Sequence, residues 1–184
     1  MSTYVVLLRG INVGGKNTIP MADLQACLGE AGFVDVATYI QSGNVLLDSD
    51  LDADAVAAEV ERLLPERFAL DSSIVKVIAL DHDAYRRVVA DAPDGFGDDP
   101  ATYRYNTVFL MGVGVDEALA QITTRDGVDA VWPGERVLYF RNSVAEASKS
   151  HLSRISQKPF YASLTIRNWN TTTKLLALLD ARAP

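Results

Sequence analysis

The sequence predicts an α+β fold made of two successive β-α-β-β-α-β units. Three observations predict it. Short aliphatic and β-branched runs alternate with stretches of helical periodicity. Glycines, prolines and asparagines fall between them. The same order of elements begins twice within 184 residues.

Val5–Leu8 is an apolar run between Tyr4 and Arg9 and reads as a buried strand. It stops at Gly10, and a glycine-rich loop runs to Thr18. Pro20 stands where a first helical residue is tolerated, Met21, Leu24, Leu28 and Ala31 recur at helical spacing, and Gly32 ends the helix. Val34–Gln41 is a strand, Ser42-Gly43-Asn44 is turn chemistry, and Val45–Leu47 is the second arm of a hairpin. Asp52 or Asp54 caps the next helix, whose Val56, Val60, Leu63 and Leu64 form one stripe; Pro65 breaks or kinks it. Ile74–Leu80 is a strand that closes a first unit, residues 1–80, in the order of a ferredoxin-like plait.

Residues 81–105 read as a helix and a linker. Asp81 caps the helix, which carries Tyr85, Val88 and Val89, and the linker holds Pro93, Gly95, Gly97 and Pro100 among aspartates. The order then restarts over residues 106–184. Asn106–Met111 is a strand, Asp116–Ile122 a helix, and Asp129–Trp132 with Arg136–Arg141 a hairpin through Pro133-Gly134-Glu135. Ser148–Ser156 reads as a helix, Ala162–Arg167 as a strand, and a last helix starts near Asn170. The expected architecture is two ferredoxin-like (βαββαβ) αβ-plait units in tandem. The halves share little residue-by-residue similarity, so the repeat rests on element order.

Composition narrows the function classes. Hydrophobic residues make up 48% and charged residues 22%, as in ordinary globular proteins. The formal net charge of −7 repels a phosphate backbone, and the basic residues are scattered, with Arg86-Arg87 the densest pair. Nucleic-acid binding is therefore disfavoured. The single cysteine, Cys27, excludes an internal disulfide and a cysteine-based metal site, and its helical setting between Leu24 and Leu28 reads as a small buried thiol. The N-terminus lacks the charged-then-apolar pattern of a signal peptide, and no apolar run is long enough to span a bilayer, so the expected location is cytoplasmic, without membrane contact. His82 and His151 match no metal-ligand spacing; His82, between two aspartates, reads as a solvated imidazole. Ser150-His151 lacks a nucleophile elbow, and Asp98-Asp99 reads as a solvated pair.

Polar chemistry gathers in three stretches. The first, Arg9-Gly10-Ile11-Asn12-Val13-Gly14-Gly15-Lys16-Asn17, joins a strand to a helix with three glycines, so its amides are unobstructed, and Arg9 and Lys16 add charge. Gly10, Gly15 and Lys16 fit most of a P-loop, but Asn17 replaces the magnesium-holding hydroxyl and the element order provides no parallel sheet. The second is Gln41-Ser42-Gly43-Asn44. In a βαββαβ unit the first two strands are parallel, so the loops that follow them share one rim. The third, Thr165-Ile166-Arg167-Asn168-Trp169-Asn170-Thr171, hands a strand to the last helix. There Asn168, Asn170 or Thr171 caps the helix and Trp169 staples it, or Arg167 and the helix start bind an anion with Trp169 as a stacking face.

These stretches also carry a resemblance. Leu7–Asn17, Thr38–Val45 and Thr165–Thr171 resemble, in that order along nearly the whole chain, the signatures of the bacterial domain-of-unknown-function 1697 family. The resemblance implies two ferredoxin-like plaits and brings no established activity, substrate or cofactor. No motif is matched over residues 91–159.

The leading expectation is a module, enzymatic or not, that binds a small anionic ligand of phosphate type. Its site is the rim formed by Arg9, Gly10, Asn12, Gly14, Gly15 and Lys16 with Gln41, Ser42 and Asn44, where Arg9 and Lys16 neutralise the ligand and Asn12 and Asn44 orient it. Arg167, Asn168 and Trp169 are the second candidate set. The competing expectation is a protein-interaction module using a sheet face or edge. RNA binding through a sheet face ranks last, with Tyr4 and Tyr39 its candidates in the first unit. The sequence names no cofactor, metal or oligomeric state.

Overall fold

The computed structural model describes residues 1–71 and 75–182. They form a mixed α+β protein with two four-stranded antiparallel sheets. Two compact units emerge: residues 1–86 with the segment from Leu175, and Arg87–Lys174. Among the described residues no helix is long and apolar enough to cross a membrane.

The first unit contains β1 (Ser2–Arg9), α1 (Met21–Glu30), β2 (Val34–Tyr39), β3 (Asn44–Ser49), α2 (Ala53–Arg67) and β4 (Lys76–Asp81), and enters α3 (His82–Ala90). Its strands lie in the order β2-β3-β1-β4, with all neighbours antiparallel. Tyr4, Val6 and Leu8 of β1 enter a core with Leu24 and Leu28 of α1 and Val56, Val60 and Leu64 of α2. Val5, Leu7, Leu46, Ile78 and Leu80, on the other sheet face, are buried as well. A strand buried on both faces reads as a continuous apolar run, which is why β1 shows no alternation.

Asp52 caps α2, accepting the Ala55 amide at 2.8 Å, and Asp81 caps α3, accepting the Ala84 amide at 2.8 Å. Pro20 directly precedes α1 instead of opening it. Pro65 lies inside α2, which runs on only to Arg67; its missing N–H forgoes one ladder bond, to the Glu61 carbonyl, close to where the helix ends. Ile74, assigned to a strand by the sequence, lies outside the described residues. His82 is not a solvated imidazole: its Nε2 lies 2.6 Å from Asp180 Oδ1, with Arg86 Nη2 at 3.1 Å. The hydrogen bond from His82 holds the Asp180 carboxyl below the usual carboxylate range, with Arg86 adding to it. Cys27 is buried, and burial pushes its thiol up.

The second unit contains β5 (Tyr103–Leu110), α4 (Val115–Ala120), β6 (Asp129–Pro133), β7 (Val137–Ser143) and β8 (Leu164–Asn168), and enters α5 (Trp169–Asp180). Its strand order is β6-β7-β5-β8, again antiparallel throughout. Val108, Leu110, Leu138 and Phe140 pack with Ala118, Leu152, Ile155 and Leu164.

The helix expected at Ser148–Ser156 is not formed. Three short 3₁₀ turns, Ala147–Lys149, Leu152–Gln157 and Pro159–Ser163, take its place. The serines divert the backbone. Ser150 Oγ donates to Asp129 Oδ1 at 2.5 Å, and Ser153 Oγ donates to the Ser150 carbonyl at 2.7 Å. Asp129 also accepts the His151 amide at 2.8 Å, so Ser150 is bonded to a carboxylate and not to the neighbouring imidazole.

On the other face of this sheet Tyr139 is fully buried, and its hydroxyl donates to the Val88 carbonyl at 2.8 Å. Burial, with Asp91 adding to it, pushes the phenol up to about 12. The folded chain thus keeps this proton beyond the value of about 10 expected when unfolded. The associated stability is complete below that value and is lost as pH rises through about 12. Denaturant unfolding from pH 8 to 12, wild type against Tyr139→Phe, is expected to show the wild type losing more stability above pH 10. Equal slopes for the two proteins would refute the assignment.

Candidate functional site

At the end of β1 the chain makes a small hairpin. Gly14 (φ +59°) and Gly15 (φ +74°) form its two-residue turn, closed by the Lys16 amide on the Val13 carbonyl at 3.0 Å. Positive φ at both central residues is the geometry that Gly-Gly supplies without strain. Val13, Gly14, Gly15 and Lys16 are exposed, Val13 to 67%.

The polar residues at its base turn inward. Asn12 donates through Nδ2 to the Ile19 and Gln41 carbonyls, both at 3.0 Å, and accepts the Ile19 amide on Oδ1 at 2.8 Å. Asn17 is buried; its Nδ2 bonds the Gly10 carbonyl and its amide bonds Asp71 Oδ2, both at 2.7 Å. Asn44, also buried, donates to the Tyr39 carbonyl and to Ser42 Oγ, both at 3.0 Å. The residue 10–17 loop and the 41–44 turn do meet, through Asn12–Gln41 and through the Leu8 amide on the Gly43 carbonyl at 2.8 Å. The Asn12 side chain and the Leu8 amide make these links. Asn12 and Asn44 were expected to orient a ligand; each is occupied within the chain. Arg9 is half-buried at the end of β1, and Gln41 and Ser42 are exposed.

The third stretch divides. Arg167 is buried and donates through Nη1 to Thr165 Oγ1 and to the Ile166 carbonyl, both at 2.9 Å, so it stays within the sheet. Asn168 caps α5, its Oδ1 accepting the Thr171 amide at 2.7 Å. Asn168 and Trp169 also line a cleft of about 280 Å³. β8 ends opposite Asn106, so β5 runs past its neighbour and Tyr103, Arg104, Tyr105 and Asn106 form one wall. Asn168, Trp169 and Asn170 form another, and Gly97 and Pro100 close the hollow.

Phe96 organises these walls. It is buried, with rings edge-on at 4.9 Å (Tyr105), 5.0 Å (Trp169), 5.5 Å (Tyr139) and 6.1 Å (Trp132). Arg141 lies 4.2 Å over the Tyr103 ring and 5.4 Å from that of Trp132, a pair of cation–π contacts that fixes Tyr103 from behind. The loop reaches this position through its own turns, Phe96 amide to Pro93 carbonyl at 2.9 Å and Tyr103 amide to Asp99 carbonyl at 3.0 Å.

The sheet faces are less available than the sequence reading supposed. The central strands of both sheets are buried on both faces over Tyr4–Leu8, Asn44–Leu47, Thr107–Leu110 and Val137–Phe140. Tyr4, a candidate for stacking RNA bases, is a core residue whose hydroxyl donates to the Leu51 carbonyl at 2.7 Å.

With this geometry in view, a family model described as a protein of unknown function, DUF1697, matches residues 1–139. The chain belongs to the DUF1697 family. No curated protein matches it. Among solved structures it is similar to the conserved bacterial protein SP0830 from Streptococcus pneumoniae, at 27% identity over 98% of this chain and 99% of that one, with a TM-score of 0.83.

Sequence reasoning missed several residues of the cleft in this DUF1697 chain. Tyr103, Arg104, Tyr105 and Asn106 lie in or beside a strand whose alternation says only that half of them face one way. A signal for Phe96 was present: it is the lone aromatic within Pro93–Pro100, between Gly95 and Gly97. A large apolar side chain in a glycine-rich acidic loop stays only where it has somewhere to pack.

Proposed function

We propose that the chain is a small-ligand-binding protein whose seat is the cleft along β5 in the second unit. The observation that carries this reading is a set of unspent side-chain amides. The side-chain amides of Asn106 and Asn170 and Nδ2 of Asn168 have no hydrogen-bond partner among the described residues. Asn168 and Asn170 are exposed, Asn106 is half-buried, and all three line a hollow with Tyr103, Tyr105 and Trp169. A concave surface that combines aromatic side chains with convergent polar groups is a usual form of a small-molecule site. At the glycine loop, by contrast, the amides of Asn12, Asn17 and Asn44 are bonded internally.

The test is a metabolite library screened by thermal shift against wild type, Trp169→Leu and Asn170→Asp. Hits for the cleft are expected to lose their stabilising effect in both variants. Hits that stabilise all three proteins equally would place the seat elsewhere and end this reading.

A second reading places an anion at the hairpin tip. It is favoured by the Gly14 and Gly15 amides and the Lys16 amine, none of which has a partner among the described residues. Stabilisation by inorganic phosphate that disappears in Lys16→Gln is its signature.

The strand orders support reading both units as ferredoxin-like αβ plaits, the second with 3₁₀ turns in place of its second helix. A cytoplasmic setting is in keeping with the single buried cysteine.

A further inference from the structure

We infer that the cleft takes a planar nitrogen heterocycle joined to a negatively charged group, the chemistry of a nucleoside monophosphate; this rests on reading the cleft as a ligand seat. Three features of the lining lead there. The first is flatness. Trp169 and Tyr105 are locked edge-on by Phe96, and Tyr103 is backed by the Arg141 guanidinium, so the walls are rigid planes. Planes that do not swing favour a flat, polarisable ligand over a branched aliphatic one.

The second feature is the amide set. An asparagine side chain offers a donor pair and an acceptor side by side, which matches the alternating donors and acceptors on the edge of a nucleobase. The Asn168 oxygen already caps α5, so that residue offers donors only. The third is charge. Arg104, which is exposed, is the only charged side chain among the described lining residues, with Asp98 and Asp99 standing between Gly97 and Pro100 in the loop that closes the hollow. A cation in the lining itself favours an anionic group on the ligand.

Size sets the upper limit. The hollow of about 280 Å³ lies just under the range for small-molecule pockets, roughly 300–1,000 Å³. That fits one nucleotide and not a dinucleotide. A nucleic-acid strand is opposed by the net charge as well.

The experiment uses the full chain in a Trp132→Phe background, leaving Trp169 as the sole tryptophan. Its fluorescence is followed during titration with adenosine 5′-monophosphate, adenosine, ribose 5-phosphate and nicotinamide, none of which emits in the tryptophan range. The monophosphate is expected to quench saturably, with adenosine and ribose 5-phosphate each about tenfold weaker or more. Arg104→Gln is expected to reduce the monophosphate to the affinity of adenosine, and Asn170→Asp to weaken it about tenfold by placing a carboxylate beside the phosphate. Both substitutions are at exposed positions, away from the core.

Ribose 5-phosphate or nicotinamide binding as tightly as the monophosphate would overturn the ligand class. If that binding still responds to the cleft variants, the seat itself stands. Monophosphate binding that neither variant changes, or no saturation with any probe, would overturn the inference as well. The ligand-seat reading fails separately, when library hits prove insensitive to the cleft variants.

Discussion

Phe96→Ala is expected to destabilise the protein by about 3–5 kcal/mol, measured by urea unfolding. Phe96 is 7% exposed and has four aromatic rings around it, so truncation leaves a cavity lined by stiff side chains that collapse poorly into it. The same change is expected to abolish ligand effects at the cleft, because Tyr105 and Trp169 lose the ring that orients them. A phenylalanine carried on a solvated spacer would instead cost no more than about 0.5 kcal/mol on removal. A loss that small would mean that the Asp91–Thr102 loop does not hold the second unit together.

Gly43→Ala is expected to cost about 2–5 kcal/mol, from roughly 1–2 for a left-handed backbone and 1–3 for overpacking. Gly43 has φ +72°, and a Cβ there would lie 2.9 Å from the Leu8 carbonyl oxygen and 3.1 Å from Ile11 Cδ1. The oxygen belongs to the central strand β1, which cannot withdraw without disturbing its bonds to β3 and β4. Asn44 opens β3 beside this contact and ties the turn to Tyr39 and Ser42. A shift in the thermal midpoint of the variant reads the effect directly; an unchanged midpoint would show that the turn can open without cost.

Much of this fold was legible because its signals are local. The Val5–Leu8 run, the stripe from Val56 to Leu64 and the Pro133–Glu135 turn each declare an element within a few residues, and the structure has a strand, a helix and a hairpin there. The segment after β7 was misread for an equally local reason. Leu152 and Ile155, three residues apart, suit a 3₁₀ turn as well as an α-helix, and the serines around them bond to side chains and carbonyls. The candidate site was harder. Sequence shows that residues 9–17 and 41–44 are polar, but the direction of an asparagine amide depends on the φ of +54° at Asn12 and on carbonyls up to 29 residues away. The cleft is harder still, since the strand Tyr103–Leu110, the loop carrying Phe96 and the start of α5 are brought together only by tertiary packing.

The segment from Leu175 belongs with residues 1–86, and about 90 residues of the second unit are translated in between. At roughly 5–20 residues per second, a ribosome delivers that segment some 4–18 s after the strands it joins. Leu175 and Leu179 have no exposed surface in the finished fold, and His82 waits throughout for Asp180. The nascent first unit therefore spends seconds without its last segment, and can close only after the second unit has been made.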